Sequence, residues 1–320
     1  MGLMDILRIA QEGITHPFGD ERSVKQAFPA GIDTTAADPF LMCDYFHSKE
    51  DKGLADVDEF PVDWHPHRGF DICSYLRSGT GRHGDSLGNR ETFETPGMQW
   101  MSTGSGVVHA EGGGNEKGQV VQGFQIWINC PAERKMDDPR YGTVPTQDLP
   151  LVDVAPGVTA RVLAGHAFQN ITGPFATSQE VQMIDLELQA GSTTGCLDLI
   201  SEGLDTAMLY IYEGTMATVN NKEESAIQSG QIVLFDASSD ENRGMELVAS
   251  KEEGAKALLF AGKKLKEPIV WHGPIVMNTQ SQIQETIREL RKGTFPPVRV
   301  KWDYKRLATK PKGESETAST

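Results

Sequence analysis

His65-Pro66-His67 and His109-Ala110-Glu111 are the two stretches that decide the fold of this chain. In each of them two side chains that can bind a metal are separated by one residue, and on a β-strand residues i and i+2 point to the same face. Two such strands can aim four side chains at one point. Three imidazole nitrogens and one carboxylate oxygen suit a divalent transition metal. We therefore expect a metal site with the ligands His65, His67, His109 and Glu111.

A single His-x-His is weak evidence for a metal site, so the residues around both pairs are important. They support β-strands that could bring the four side chains together. The segment from Arg68 to Leu76 alternates as a strand does, and it follows the first pair directly. Pro96-Gly97-Met98-Gln99-Trp100-Met101 is typical of a turn that leads into a short apolar strand. Gly104-Ser105-Gly106-Val107-Val108 then runs into His109. Both pairs are thus predicted to lie on β-structure beside glycine-rich turns.

An internal repeat indicates two barrels in tandem. In the first half, Gly79-Thr80 follows a predicted strand and the turn at Pro96-Gly97 comes about one hairpin later. In the second half, the segment from Tyr210 to Thr215 is expected to end a strand, and Ser229-Gly230 follows at a similar distance. Two antiparallel β-barrels explain this pattern together with the length of 320 residues.

The ligand motifs occur only in the first half of the chain. The second half holds His166 and His272, and neither belongs to a His-x-His or His-x-Glu motif. We expect one metal ion, in an N-terminal domain of residues 1–140, and a C-terminal domain of residues 150–300 without metal ligands. The boundary is expected from Pro139 to Pro156, where four prolines disfavour continuous strands. Residues 303–320 are mostly polar and are expected to be disordered.

One helix is predicted near the end of the chain, from Thr279 to Arg291. Ile283, Ile287 and Leu290 recur at helical spacing, and Gly293 follows as a stop signal. An apolar stripe of this kind has to be buried, and we expect it to pack against the N-terminal barrel.

Composition excludes some classes of binding partner and indicates the compartment of the protein. The net charge of −15 disfavours direct binding to nucleic acid, because such binding gains much of its affinity from neutralised phosphates. No apolar run approaches the roughly 18 residues of a membrane helix, and no secretory signal is recognisable. The four cysteines form no Cys-x-x-Cys motif. We therefore expect reduced thiols and a cytoplasmic protein that does not bind membranes, or a nuclear one if the source is eukaryotic.

An ordered set of motifs along most of the chain resembles the pirin family. Asp38-Pro39-Phe40-Leu41-Met42-Cys43-Asp44-Tyr45-Phe46 is similar to the family's entry motif, and His83-Gly84-Asp85-Ser86-Leu87-Gly88-Asn89 is similar to its loop between the metal motifs. His65 to Phe70 and Gln99 to Glu111 match the two metal motifs, and His272 to Thr279 resembles the closing signature. The resemblance implies an all-β bicupin, that is, two tandem antiparallel cupin β-barrels, with a C-terminal helix. Where many pirins have Glu, this chain has Asp71, which is not usually a ligand in the family.

The resemblance also implies a cofactor and an activity. It favours Fe(2+), whereas imidazole and carboxylate ligands alone do not choose among zinc, copper, iron and nickel. Some pirins are quercetin 2,3-dioxygenases, so a small aromatic substrate such as a flavonol is expected, with Glu111 as its general base. Met98, Trp100 and Met101 are candidates for the pocket wall, although a position in the barrel core is the more ordinary role for such side chains.

Two alternatives to the dioxygenase stay open. The resemblance also fits a redox-sensing interaction protein, a transcription cofactor or a regulator of a metabolic enzyme, in which the state of the iron sets the binding of a protein partner. In the other alternative the metal only stabilises the barrel. A monomer is expected in each case.

Overall fold

The computed structural model describes residues 2–13, 16–17, 23–49, 60–113, 118–168, 170–198, 201, 203–219, 224–239 and 241–306. Within these residues the chain is mostly β-structure with one α-helix, as predicted. No helix in this part of the chain is long and apolar enough to span a membrane.

The first strands in chain order are β1 Ile6–Gln11, β2 His16–Pro17, β3 Ser23–Phe28, β4 Phe40–Lys49, β5 Val62–His67, β6 Phe70–Ser78, β7 Thr80–Asp85, β8 Arg90–Glu94, β9 Gly97–Ser102, β10 Val107–Gly113, β11 Val120–Asn129 and β12 Arg140–Val144. They are followed by β13 Leu151–Ala155, β14 Val158–Ala164, β15 His166–Ala167, β16 Ile171–Thr172, β17 Val181–Leu188, β18 Leu197–Asp198, β19 Thr206–Val219, β20 Glu224–Gln228, β21 Gln231–Phe235, β22 Gly244–Ala249, β23 Ala255–Gly262, β24 Val270–His272 and β25 Ile275–Met277. The helix α1 is Gln280–Lys292, and short 3₁₀ turns cover Ala132–Arg134 and Thr146–Asp148.

The chain divides into two compact units whose segments interleave along the sequence. Unit 1 consists of Met1–Thr15, Lys25–Tyr45 and Gln147–Lys266, and unit 2 of His16–Val24, Phe46–Thr146 and Glu267–Thr320. The predicted domains, residues 1–140 and 150–300, follow one another instead. The two divisions differ because β1, near the start of the chain, forms its backbone hydrogen bonds with β21, in the second half of the chain. This pairing makes β1 part of unit 1. Of the predicted disordered tail, the part from residue 307 onward lies outside the described residues.

Unit 1 is built around one large antiparallel sheet with the strand order β1-β21-β19-β23-β17-β14-β13. Its core is a single cluster of buried aliphatic side chains, among them Ile184, Leu209 and Leu259. The expected strand end near Thr215 is wrong, because β19 continues to Val219. Gly214 has a positive φ of 71°, a conformation that glycine adopts readily. Pairing continues through this residue, with β23 at Gly214 and with β20 from Thr215 onward.

Unit 2 carries both ligand motifs. One of its sheets has the order β5-β10-β7-β8, and in another the neighbouring strands are β12, β9, β6 and β11. Antiparallel pairing sets β5 against one side of β10 and β7 against the other. The second motif is thereby held in the middle of its sheet, with the first motif on the adjacent strand.

The helix α1 belongs to unit 2, with the strands of both ligand motifs, whereas the predicted C-terminal domain of residues 150–300 includes it. Thr279 caps its first turn in a capping box with Gln282, and Gly293 ends it in the left-handed conformation. Ile283 is buried, in a cluster with side chains of β25. The expectation for the whole apolar stripe is wrong at Leu290, which keeps 38% of its surface exposed.

Candidate metal site

Strand pairing brings three of the four predicted ligands together. In the antiparallel register His109 of β10 lies opposite His65 of β5, and Val107 lies opposite His67. Because His65 and His67 are two residues apart on one strand, both rings lie on the face of the sheet that His109 occupies. One ring nitrogen from each histidine lies within 4.8 Å of the other two. Within the described residues this is the one group of His, Cys, Asp or Glu side chains close enough to hold a metal ion.

Backbone carbonyls orient two of the three rings. The Nδ1 of His65 lies 2.7 Å from the carbonyl oxygen of Asp63, and the Nδ1 of His67 lies 3.2 Å from that of Pro274. A carbonyl only accepts, so each Nδ1 donates and each neutral ring presents a bare Nε2. Partners of this kind set the tautomer and the ring orientation of metal-binding histidines.

The Nε2 atoms fit a bound cation. The Nε2 atoms of His65 and His109 are 2.9 Å apart. Ligand nitrogens that lie about 2.0–2.1 Å from a metal, at a right angle to one another, are separated by about 2.9 Å. The Nε2 of His67 is buried and has no hydrogen-bond partner. Bare nitrogens in this arrangement repel one another unless a proton or a metal ion lies among them, so the donor set matches a divalent metal.

Burial keeps the rings of His67 and His109 neutral. It lowers the pKa of His67 and of His109 well below the ordinary histidine value, and the nearby ring of His65 lowers both further. A neutral imidazole offers the lone pair that a metal needs.

Glu111 lies beside the three histidines but does not join their compact group. Its Oε1 is 4.0 Å from the Nε2 of His109. The register between β10 and β5 shifts after His109, so that Glu111 pairs with Val62 rather than with Asp63. A β-bulge of this kind re-aims the side chains that follow it. The shift accounts for the offset of the carboxylate, which stands next to the site as a candidate fourth ligand.

Neutral polar side chains surround the Glu111 carboxylate. The Nε2 of Gln125 donates to Oε1 at 2.5 Å, and the Nε2 of Gln99 donates to Oε2 at 2.7 Å. The hydroxyl of Ser74 lies 2.9 Å from Oε2. Both carboxylate oxygens are therefore engaged, which fixes the orientation of the group. The sequence prediction gave these three side chains no role, because they come from three strands, β6, β9 and β11, whose pairing decides that they meet at Glu111.

Glu111 also forms part of the lining of a mainly apolar pocket in unit 2. The apolar lining comes from the side chains of Val24, Phe46, Leu76 and Phe93. The polar end consists of Glu111 and the three side chains that donate to its carboxylate. The pocket therefore places an apolar surface next to the candidate ligand.

The predicted wall residues do not line this pocket. Met98 and Met101 are buried in the sheet, and Met98 lies 3.7 Å from the sulfur of Cys73. Trp100 is half-buried and packs against the guanidinium of Arg140. On β9 it is Gln99, between Met98 and Trp100, that faces the pocket. Alternation along β9 was the available signal for Gln99, because Met98 and Trp100 share the opposite face.

Aromatic and cationic side chains pack around the first ligand motif. Trp127 lies edge to face with His67 at a centroid distance of 5.3 Å, and Trp271 packs on Trp127. Lys135 is fully buried, and its ammonium donates to the carbonyl oxygens of Gly69 and Val276 and to the side chain of Asn129. These contacts hold the turn after His67 against the segment that leads into α1.

Comparison with known proteins agrees with this architecture. The family model described as Pirin matches residues 21–128, and that of the Pirin C-terminal cupin domain matches residues 183–296. A Pseudomonas aeruginosa protein provisionally named quercetin 2,3-dioxygenase is 34% identical over 285 residues, which are 88% of this chain and 95% of that protein. Pirin-1 of Arabidopsis thaliana is 33% identical over 255 residues, with 79% and 81% covered.

Comparison with a solved structure agrees with the family models. The crystal structure of quercetin 2,3-dioxygenase from Acinetobacter baumannii superposes with a TM-score of 0.80 at 27% identity, over 92% of this chain and 99% of that one. The matches to both family models, the two cupin domains and the histidine group all indicate the same family. The chain belongs to the pirin family.

Proposed function

We propose that this protein is a metal-dependent dioxygenase of the pirin family that acts on a flavonol, with Fe(2+) as its metal. The observation that carries the proposal is the position of Glu111, between the three convergent imidazoles and an apolar pocket. The names of the Pseudomonas aeruginosa and Acinetobacter baumannii relatives support quercetin as the first substrate to test.

In this proposal His65, His67, His109 and Glu111 hold the metal. The bound metal would act as a Lewis acid that favours the deprotonated form of the substrate hydroxyl. Glu111 would accept the proton of that hydroxyl, at whichever carboxylate oxygen is free of the metal. The amide groups of Gln99 and Gln125 keep the carboxylate oriented while it does so.

The pocket supports an apolar, aromatic substrate. Phe46, Leu76 and Phe93 form a buried apolar cluster beside Glu111, and an environment of this kind favours a ring over a charged molecule. A planar substrate with one acidic hydroxyl would place the ring against these side chains and the hydroxyl toward the carboxylate.

The alternative function, a redox-sensing interaction protein, is supported by the net charge of −15, which favours a partner with a basic surface. Its test is the capture of a protein partner that depends on the oxidation state of the bound iron. The cytoplasmic location and the monomeric state stay predictions under both functions.

The dioxygenase is tested by oxygen uptake. Apoprotein is loaded anaerobically with Fe(2+), and oxygen consumption is followed with a panel of flavonols and with flavones that lack the 3-hydroxyl. We expect consumption with flavonols only, and none in a His109→Ala control. An iron-loaded protein that consumes no oxygen with any flavonol would reject the dioxygenase and leave the interaction protein and the purely structural metal.

A further inference from the structure

His83 lies next to the metal site, and the function proposed above does not use it. It stands on β7 opposite Glu111 of β10, and Asp85 stands opposite His109. Partners in an antiparallel pair share a face of the sheet, so these side chains lie on the same face as the three histidines. His83 and Asp85 are both fully buried. A buried histidine–carboxylate pair beside a metal site calls for an explanation.

Hydrogen bonds fix which nitrogen of His83 carries the proton. The Oδ1 of Asp85 accepts from the backbone amides of Leu87 and Asn89, and its Oδ2 accepts from the side-chain amide of Asn89. The carboxylate is thus an acceptor on both oxygens. The Nε2 of His83 lies 3.0 Å from Oδ2 and must donate to it. The Nδ1 of a neutral His83 is then a bare acceptor, and this atom is buried without a partner.

His109 lacks an acceptor for a ring proton, whereas His83 lacks a donor for its Nδ1. Its Nε2 faces the Nε2 of His65, where the metal would bind, so a metal-bound ring carries its proton on Nδ1. That Nδ1 is also buried without a partner. The rings of His83 and His109 are 5.5 Å apart between centroids. An unmatched acceptor and an unmatched donor therefore lie on neighbouring rings.

We propose that His83 is a positioning residue for the metal site. Its Nδ1 accepts the Nδ1 proton of His109, directly after a small rotation of the rings or through one water, and Asp85 fixes the tautomer of His83 that makes this bond. Metal-binding histidines usually have such an acceptor, and His65 and His67 have theirs in backbone carbonyls. His83 completes the set for the third histidine. This inference rests on the metal site of the proposed function but not on its reaction.

A purely structural role for His83 must be separated from this one. The ring of His83 stacks on Tyr141, with centroids 4.1 Å apart and planes 11° apart. This contact stabilises unit 2 whether or not His83 accepts a proton from His109. His83→Phe keeps an aromatic ring for Tyr141 but removes the acceptor. His83→Asn loses the ring but keeps an oxygen near the position of Nδ1. The two variants therefore separate packing from hydrogen bonding.

The test uses zinc, which has no redox chemistry, as the probe metal. Zinc affinity is measured on the full-length apoproteins by competition with a chromophoric chelator, and the melting temperature of each apoprotein reports packing. We expect His83→Phe to weaken zinc binding by about 10–100-fold, as loss of such a partner does. We expect the affinity of His83→Asn to stay closer to that of the unsubstituted protein, even if its melting temperature falls further. Equal affinities for His83→Phe and the unsubstituted protein would overturn the proposal.

A second measurement does not depend on any variant. Long-range ¹H–¹⁵N correlation spectra of the zinc-loaded protein report the tautomer of each histidine. We expect a proton on Nε2 of His83 and a slowly exchanging proton on Nδ1 of His109. A proton on Nδ1 of His83 would overturn the assignment. If both results hold while the iron-loaded protein consumes no oxygen, the dioxygenase fails and the positioning role stands.

Discussion

Arg68 and Glu289 form an ion pair, 2.5 Å between Nη2 and Oε2, that connects the first ligand motif to the helix α1. Arg68 follows His67 directly, and its guanidinium is buried, also donating to the hydroxyl of Thr286 and the carbonyl oxygen of Ser105. A buried guanidinium needs all of these acceptors, because an unpaired buried charge is strongly destabilising. The helix therefore supports the strand that carries His65 and His67.

Loss of this pair should destabilise unit 2. Glu289→Gln replaces the carboxylate with a neutral acceptor, and hydrogen bonds to charged groups contribute about 1.5–3 kcal/mol. We expect the free energy of unfolding to fall by about 2 kcal/mol, measured by urea denaturation of the apoprotein. Glu285→Gln is the matched control, because Glu285 pairs with the exposed Arg288 on the same helix and such pairs contribute little. Equal losses in the two variants would contradict the role of Arg68.

Truncation after Met277 should weaken metal retention although no predicted ligand is removed. It deletes α1, with the buried Ile283 and both helical partners of Arg68. Burial of a side chain such as Ile283 contributes about 1.5–3 kcal/mol before entropy. We expect a lower melting temperature and a lower metal content after dialysis. Unchanged values of both would show that the helix does not support the site.

The purified protein should bind about one divalent metal per chain. His65→Ala and His109→Ala should each lower the metal content sharply, since each removes one of three convergent nitrogens. His166→Ala and His272→Ala are controls at exposed histidines outside the group. Elemental analysis of the variants decides the question, and equal metal content in all of them would reject the assignment.

Glu111→Gln should separate metal binding from catalysis. The substitution keeps the size and one oxygen donor of the side chain but removes its charge and its capacity to accept a proton. We expect part of the metal to be retained, and flavonol turnover to fall by about 10²–10⁴-fold, as for a removed acid–base group. Turnover is normalised to bound metal in the assay. Full activity per metal would exclude Glu111 from the chemistry.

Lys135 should make stability depend on pH in the alkaline range. Burial lowers the pKa of Lys135 from 10.5 to about 8. Below pH 8 the folded and unfolded chains both carry the proton. Between pH 8 and 10.5 only the unfolded chain keeps it, so the free energy of unfolding rises with pH, by about 3 kcal/mol in total, and levels off above pH 10.5.

Comparison with Lys135→Met isolates this contribution from other groups that titrate in the same range. The difference in unfolding free energy between the two proteins should increase in favour of the unsubstituted chain between pH 8 and 10.5. A difference that stays constant or shrinks over that range would contradict the lowered pKa.

Alternation along strands was enough to predict the histidine group. His65 and His67, and likewise His109 and Glu111, are two residues apart, and a strand turns such spacing into a shared face. The offset of Glu111 could not be predicted, because it depends on a register shift that arises only when β10 and β5 pair. Nor could the role of Gln125, which lies on a strand that the sequence shows only as an alternating run.

The sequence also predicted two cupin domains and a C-terminal helix, because repeats and helical periodicity are local patterns. It did not predict the interleaved units. The pairing of β1 with β21 joins segments far apart in the chain, and neither strand carries a signal that names its partner. The exposure of Leu290 is likewise decided by packing, since periodicity defines a stripe but not how much of it finds a neighbour.

The interleaving of the two units has a consequence for how the protein is made. Glu267–Thr320 leaves the ribosome after Gln147–Lys266, so unit 2 cannot be completed before the whole of unit 1 has been synthesised. Until then the strands with His65, His67 and His109 lack α1 and the acceptors that it supplies to Arg68. The usual order, in which an N-terminal domain folds before the next one emerges, does not apply to this chain. Unit 1 ends at Lys266, so all its segments are available first, and unit 2 reaches its native state only late in synthesis or after release.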